Sequence, residues 1–261
     1  MQYIEANGES IAYEEIGAGP PLVFISGWGG TAAEWRADME HFAATRRCIT
    51  LEHPGVAGQP LPDGALSTAD MAGRIARGLQ ALGIDSAVFI GLSMGGAVAQ
   101  ELALRHPKLV DRLIIAASFA RMDARGSRAI EICTGTMRDC GLKAGLDMAY
   151  WLAFGEQFYE QNLEALDAAL DQFLADPLPV EVFEYQLETC LKHDTRGRLS
   201  GISCPALIIH GDADILTRPQ HGRELAENIP RARLSVFEGG GHLCVWEQPE
   251  RFRREVAEFN A

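Results

Sequence analysis

The stretch that decides the fold is V-F-I-G-L-S-M-G-G-A-V-A, which runs from Val88 to Ala99. Its first three residues are apolar and indicate a buried strand, and the residues after Gly95 favour a helix. Ser93 therefore stands at a sharp corner, where glycine is needed two positions before and after it because a Cβ atom would clash there. The helix would direct its free N–H groups and positive dipole end at an anion forming beside the Ser93 hydroxyl. The pattern predicts that Ser93 is a nucleophile.

The pentapeptide around Ser93 is too short to establish this role by itself. A glycine-rich turn that only packs a helix against a strand would have the same sequence. The surrounding segments must decide between the two interpretations.

Outside this corner, strand-like runs alternate with helical stretches, which is typical of a parallel, doubly wound sheet. Asn7-Gly8 predicts a tight hairpin between the first two strands, which are antiparallel. The other predicted strands are short and apolar, as expected for strands buried on both faces. They are 22–25, 48–51, 88–90, 113–117, 205–211 and 233–237.

The alternation stops between Phe119 and Ser203, where strand signals are almost absent. The interval instead contains amphipathic patterns that predict four helices. They are 128–140, 142–154, 162–174 and 180–193. The sequence therefore predicts a helical insertion in an α/β domain.

Composition limits the classes of function. The chain has 261 residues, 47% of them hydrophobic, and a formal net charge of -13. This acidity opposes binding to nucleic acid or to anionic membranes. The six cysteines show no C-x-x-C pair, and the amino-terminal residues lack the pattern of a signal peptide. We expect a cytoplasmic protein with buried, unpaired thiols.

Two further segments support the nucleophile interpretation. The strand 207–210 is followed by Gly211-Asp212-Ala213-Asp214, and the strand 233–237 by a glycine run that ends at His242. An acid and a histidine therefore both lie at the carboxyl ends of strands, which is the edge where open α/β sheets place their sites. A serine hydroxyl needs a base, and the imidazole needs a carboxylate that fixes its tautomer. The chain order serine, acid, histidine fits a catalytic triad in this architecture.

Over essentially its whole length the chain resembles the α/β-hydrolase family. The resemblance rests on G-L-S-M-G at 91–95, G-x-x-D at 211–214 and G-H-x-x-x-x-E-x-P-E-x-F at 241–252. Within the family the chain is most similar to the small lactonase and esterase branch of 3-oxoadipate enol-lactonases and aminoacrylate-type hydrolases. The resemblance implies a mostly parallel eight-stranded sheet flanked by helices, with a helical cap inserted after strand 6. The core would be 1–118 and 204–261, and the cap 119–203.

The resemblance also implies the roles of individual residues. Ser93 would be the nucleophile, His242 the general base and acid, and Asp214 the partner that orients His242. The backbone N–H groups of Trp28 and Met94 would form the oxyanion hole.

Gly27 and the Trp28 side chain would line the substrate pocket. Two loops depart from the family pattern, Ser26-Gly27 after the third strand and Glu52–Gln59 after the fourth. Both lie near the expected site, so they affect the expected substrate class and leave the triad intact.

Other residues compete for these roles. His53 is an alternative base, but it precedes a proline in a loop without the other partners. Asp212 is an alternative triad acid. It directly continues the buried strand end, whereas Asp214 lies further into the loop, where its side chain can turn towards His242. We expect His210 to be structural.

The sequence thus predicts a serine hydrolase, similar to carboxylesterases and lactonases, that cleaves a small ester or lactone through an acyl-enzyme. Hydrolysis of a carbon–carbon or thioester bond is the alternative, because the same groups serve any acyl carbonyl. A ligand receptor that retains the triad is the alternative outside the enzymes. We expect no cofactor, metal, nucleic acid or membrane partner, and a monomer or homodimer.

Overall fold

The computed structural model describes residues 1–260. One sheet of eight strands runs in the order β1-β2-β4-β3-β5-β6-β7-β8. The strands are β1 (Gln2–Ala6), β2 (Glu9–Ile16), β3 (Pro21–Ile25), β4 (Arg47–Leu51), β5 (Ala87–Leu92), β6 (Val110–Ala116), β7 (Ala206–Gly211) and β8 (Ala232–Phe237). β2 pairs antiparallel with β1 and β4, and all other pairs are parallel. All eight predicted strands are therefore confirmed, and with them the mostly parallel sheet.

Eleven α-helices within residues 1–260 accompany the sheet. They are α1 (Arg36–Phe42), α2 (Thr68–Ala81), α3 (Met94–Arg105), α4 (Ala124–Cys140), α5 (Leu142–Ala153), α6 (Glu156–Gln161), α7 (Leu163–Ala175), α8 (Val180–Lys192), α9 (Pro219–Asn228), α10 (Cys244–Glu247) and α11 (Pro249–Phe259). None of these helices has the length and apolar character that crossing a membrane requires.

The sheet is buried on both faces. One hydrophobic cluster contains Phe89 and Met94, and a second on the opposite face contains Ile90 and Phe252. Neighbouring residues of β5 thus contribute to opposite clusters, since successive strand side chains point to opposite faces. Every residue of β5 and β7 is buried, which explains their continuous apolar runs.

The helical insertion follows β6, as predicted. It contains five helices, because the six-residue helix α6 lies between the second and third predicted ones. A helix of this length is too short to show an amphipathic period, which explains why the sequence missed it. A third hydrophobic cluster packs residues of the insertion, such as Phe183, against Val56 of the loop after β4.

The six cysteines are free, and no disulfide forms within residues 1–260. Four are buried, as expected. The expectation was wrong for Cys140, which is exposed, and for Cys204, which is half-buried. Cys140 is the last residue of α4, and helix ends at the surface leave their side chains accessible.

Candidate functional site

The corner at Ser93 has the predicted geometry. β5 ends at Leu92 and α3 begins at Met94, so one residue makes the whole turn. Ser93 has φ +55° and ψ -116°, a region that residues with a Cβ atom rarely occupy. Strain of this kind persists where the surrounding structure imposes it, commonly at functional sites.

The two glycines beside Ser93 are required for different reasons. A Cβ atom on Gly91 would overlap the backbone of Gly95, as the sequence predicted. A Cβ atom on Gly95 would instead overlap the carbonyl oxygens of Ile25 and Ser26 at the end of β3. The second contact joins segments about 70 residues apart, so only the folded chain shows it.

His242 and Asp214 meet at the carboxyl edge of the sheet. β7 and β8 are parallel neighbours with Gly211 opposite Phe237, so the loops that follow them lie side by side. His242 Nδ1 is 2.9 Å from Asp214 Oδ2, and both side chains are buried. The bond to Nδ1 leaves Nε2 as the ring nitrogen that can act on another group.

Asp214 is held as a carboxylate. Its Oδ1 accepts hydrogen bonds from the N–H groups of Leu216 and Thr217, both at 2.8 Å. Burial favours the neutral acid, but the charge of His242 and the hydrogen bonds from His210 and His242 hold the pKa of Asp214 well below its usual value. A carboxylate in this state stabilises a positively charged imidazole.

Thr217 belongs to this cluster, although the sequence analysis did not single it out. Its hydroxyl donates to Asp214 Oδ2 at 2.8 Å or to the Ala117 carbonyl at 3.0 Å, and it lies 3.0 Å from His242 Nδ1. Its position three residues after Asp214 was the available signal, since threonine often binds a carboxylate in its own turn.

Asp212 lies outside the cluster. Its side chain is exposed and accepts a hydrogen bond from the Gly239 N–H at 2.7 Å. The expectation that Asp212 continues the buried strand end was therefore wrong. The chain turns at Gly211, so that Asp212, the first loop residue, faces solvent, whereas Asp214, the third, is buried at the sheet edge.

His210 is buried beside Asp214. Its Nε2 donates to the Thr217 carbonyl and lies 3.4 Å from Asp214 Oδ2. Both contacts hold the loop that carries Asp214.

The loop after β3 lies against Ser93. β3 pairs with β5 so that Ile25 is opposite Gly91, which places the following residues next to the corner. A Cβ atom on Gly27 would be 3.3 Å from the Cβ atom of Ser93. Within residues 1–260, the N–H groups of Trp28 and Met94 donate no backbone hydrogen bond. Both donors are therefore free for a substrate.

The Trp28 side chain lines the neighbouring cavity. Its indole Nε1 donates to the Phe183 carbonyl at 2.9 Å, and the two rings make an edge-on contact with centroids 5.2 Å apart. These contacts tie the loop after β3 to α8 of the insertion.

His53 does not reach the site. It is buried and its Nε2 donates to the Ser26 carbonyl at 2.9 Å, a contact that stabilises the loop after β3. Burial lowers the pKa of His53 to about 4, so this imidazole is neutral. It contributes nothing to the cavity lining among residues 1–260.

Glu52 supports the same loop. Its Oε1 accepts the Ala32 N–H at 3.0 Å, and its side chain is buried. Burial, opposed by that hydrogen bond, raises the pKa of Glu52 to about 7. The folded protein therefore binds a proton that the unfolded chain releases near pH 4.5.

Replacement of Glu52 by glutamine should change how stability depends on pH. Because the pKa of Glu52 is higher in the folded protein than in the unfolded chain, proton binding to Glu52 stabilises the fold. This contribution to the unfolding free energy is fully present below pH 4.5 and is lost as the pH rises through about 7. Between pH 5.5 and 8 we expect the wild type to lose about 2 kcal/mol of unfolding free energy that Glu52→Gln retains. Urea unfolding of both proteins at the two pH values measures this difference.

The control for this experiment is Glu40→Gln, which removes an exposed carboxylate of α1. Its stability should follow the wild type at both pH values. The interpretation of Glu52 is wrong if the stability difference between Glu52→Gln and the wild type is the same at pH 5.5 and 8.

Ser93 and His242 open into one cavity of about 310 Å³. Core residues such as Gly27, Trp28 and Leu92 form its floor, and most of the other lining residues come from the insertion. No hydrogen bond joins the Ser93 hydroxyl to His242 in the part of the chain that the structure describes. Such contacts are commonly long before a substrate binds. The site therefore offers a hydroxyl and an imidazole fixed by a carboxylate at one cavity, with the backbone N–H groups of Trp28 and Met94 next to the Ser93 corner.

Residues 22–255 match the profile of the alpha/beta hydrolase family. The chain belongs to the α/β hydrolase family. The match spans the sheet from β3 onwards and includes all the site residues described above. The predicted fold class and the resemblance are thereby confirmed.

Several relatives are similar over nearly their full length. A protein of Azorhizobium caulinodans that bears the provisional name carbamate hydrolase RutD is 29% identical and covers 99% of this chain and 98% of its own. A protein of Mycobacterium tuberculosis, named with the same reservation as the non-heme bromoperoxidase BpoC, is 28% identical and covers 97% of this chain and 98% of its own.

Solved structures show the same fold. The enol-lactonase of Burkholderia xenovorans superposes with a TM-score of 0.89 at 25% identity and covers 99% of both chains. A structure described as an N-acyl homoserine lactone degrading enzyme superposes with a TM-score of 0.84 at 25% identity, covering 99% of this chain and 100% of its own. The family and these relatives indicate that this protein is a hydrolase.

Proposed function

We propose that this α/β hydrolase is a serine hydrolase that cleaves a small carboxylic ester or lactone through an acyl-enzyme. The observation that supports this most strongly is the Asp214–His242 hydrogen bond, with His242 and Ser93 opening into one cavity. The enol-lactonase and lactone-degrading structures support the bond type. The RutD relatives make carbamates a second substrate class to test, since a carbamate also presents an acyl carbonyl.

In the proposed reaction, Ser93 Oγ bonds to the acyl carbon while its proton passes to His242 Nε2. The carbonyl oxygen becomes an oxyanion that the N–H groups of Met94 and Trp28 stabilise. The bond to the leaving alcohol breaks as His242 returns the proton to it. Water then attacks the acyl-enzyme by the same steps and releases the acid and Ser93.

The helical insertion has a role in this proposal. We infer that residues 119–203 form a cap domain over a core of 1–118 and 204–261. The cap would provide most of the cavity wall, whereas all the groups in the proposed chemistry come from the core. Substrate choice would then depend on the cap, and reaction chemistry on the core.

A cytoplasmic location and a monomeric or homodimeric state complete the proposal. The six free cysteines support a reducing compartment.

Turnover on a panel of substrates tests the proposal. The panel contains p-nitrophenyl esters of graded acyl length, lactones, a thioester and an aryl carbamate. We expect repeated turnover of short acyl esters and lactones, and falling kcat/KM once the acyl chain outgrows the 310 Å³ cavity. Preferred turnover of the thioester, or of a substrate with a scissile carbon–carbon bond, would favour that alternative.

The receptor alternative predicts a different result. A receptor should react once or very slowly and show a rise in Tm on ligand binding. Burst kinetics without a steady state on every substrate would contradict the enzyme proposal.

A further inference from the structure

The cavity beside Ser93 is rich in aromatic side chains. Six of them line it, and three pairs are in edge-on contact, Trp28 with Phe183, Phe173 with Phe183, and Tyr150 with Phe154. The six are Trp28, Tyr150, Phe154, Phe173, Phe183 and Trp246. Aromatic faces carry partial negative charge and attract organic cations.

Glu34 provides a carboxyl group in the same cavity. Glu34 is an exposed residue that contributes to the cavity lining. Its carboxyl group lies against Gly30, where a Cβ atom would overlap it. No lysine or arginine lines the cavity within residues 1–260.

Glu34 also has a local structural contact. It lies in the first turn of the helical segment that Thr31 caps, and the nearby Thr31 backbone N–H lowers the pKa of its carboxyl group. That contact uses one of several acceptor positions of the carboxylate.

No lysine or arginine of the cavity lining neutralises the Glu34 carboxylate within residues 1–260. Burial first, and then the neighbouring Glu52, raise the pKa of Glu34 to about 8. Burial and Glu34 in turn raise the pKa of Tyr150, whose hydroxyl has no hydrogen-bond partner in the described residues. A bound cation would stabilise the Glu34 carboxylate, and the net charge of -13 would attract cations to the protein.

We propose that the cavity accepts acyl substrates carrying an organic cation, a protonated or quaternary amine, held between the aromatic side chains and the Glu34 carboxylate. This inference rests on the proposed ester-hydrolase function and names its substrate class. It also predicts discrimination against acyl groups that carry a carboxylate, because no lysine or arginine of the described lining compensates the charge that they would bring into the cavity.

Three p-nitrophenyl esters of similar shape test the inference. Their acyl groups are 4-(trimethylammonio)butanoate, the neutral analogue 5,5-dimethylhexanoate, and glutarate with a free carboxylate. The quaternary nitrogen neither titrates nor attacks the ester, so the three differ mainly in charge. We expect wild-type kcat/KM to be about tenfold higher on the ammonium ester than on the neutral one, and lowest on glutarate.

Glu34→Gln is the decisive variant, because the amide is close in size to the carboxyl group and cannot ionise. We expect the ratio of kcat/KM between the ammonium and neutral esters to fall about tenfold, mainly through KM for the ammonium ester. The ratio compares two substrates on one protein sample, so a change in the folded fraction does not affect it. Glu40→Gln, an exposed carboxylate on α1, should leave the ratio as in the wild type.

The outcomes separate this inference from the proposed function. If the wild type turns over none of the three esters, the proposed function is wrong. If it hydrolyses the neutral ester without preferring the ammonium ester, only the inference is overturned. An unchanged ratio in Glu34→Gln, or an equal fall in Glu40→Gln, also overturns it.

Discussion

The Ser93→Ala enzyme should lose several powers of ten in kcat on an activated ester. Ser93 is the hydroxyl at the strained corner between β5 and α3, and it opens into the cavity that His242 also lines. Without it no acyl-enzyme forms, and only substrate binding and the free N–H donors remain to assist attack by water. Steady-state kinetics on a p-nitrophenyl ester measure the loss.

A phosphonate probe followed by mass spectrometry gives an independent measurement. We expect one added phosphonyl group on the wild type, located at Ser93, and none on Ser93→Ala. Ser86→Ala, an exposed serine just before β5, should match the wild type in both measurements. Labelling at another residue, or full activity of Ser93→Ala, would falsify the assignment of the nucleophile.

The second large effect concerns the two acids after β7. Asp214→Asn should lower kcat by up to ~10⁴. The amide oxygen accepts hydrogen bonds from the N–H groups of Leu216 and Thr217 as the carboxylate does, so the loop should keep its conformation. Its NH₂ group facing His242 Nδ1 would instead favour the tautomer with the proton on Nε2, which cannot accept the Ser93 proton. The loss of charge also removes stabilisation of the imidazolium.

Asp212→Asn is the matched control. Asp212 is exposed and binds only the Gly239 N–H within residues 1–260, so its charge is screened from His242. We expect a loss of less than ~100-fold in kcat, with any effect coming mainly from stability. Kinetics on one ester, with melting curves for both variants, compare the acids directly. A deeper loss of kcat in Asp212→Asn than in Asp214→Asn would contradict the assignment of Asp214.

The sequence by itself determined the sheet and the order of the groups in the proposed chemistry. Six apolar runs and the hairpin signal at Asn7-Gly8 predicted the eight strands, because strand burial and turn chemistry are encoded over a few residues. The placement of Ser93, Asp214 and His242 at one edge followed from the same local signals, since parallel strands share their carboxyl edge.

Only the tertiary structure decided features that depend on residues distant in the chain. The need for glycine at position 95 arises from the end of β3, and the exposure of Asp212 depends on how the chain leaves β7. Glu34 lies in the first turn of a helical segment that Thr31 caps, yet the insertion more than 80 residues later places it in the cavity beside Tyr150. Local patterns specify backbone conformation, whereas the environment of a side chain depends on long-range packing that no short pattern encodes.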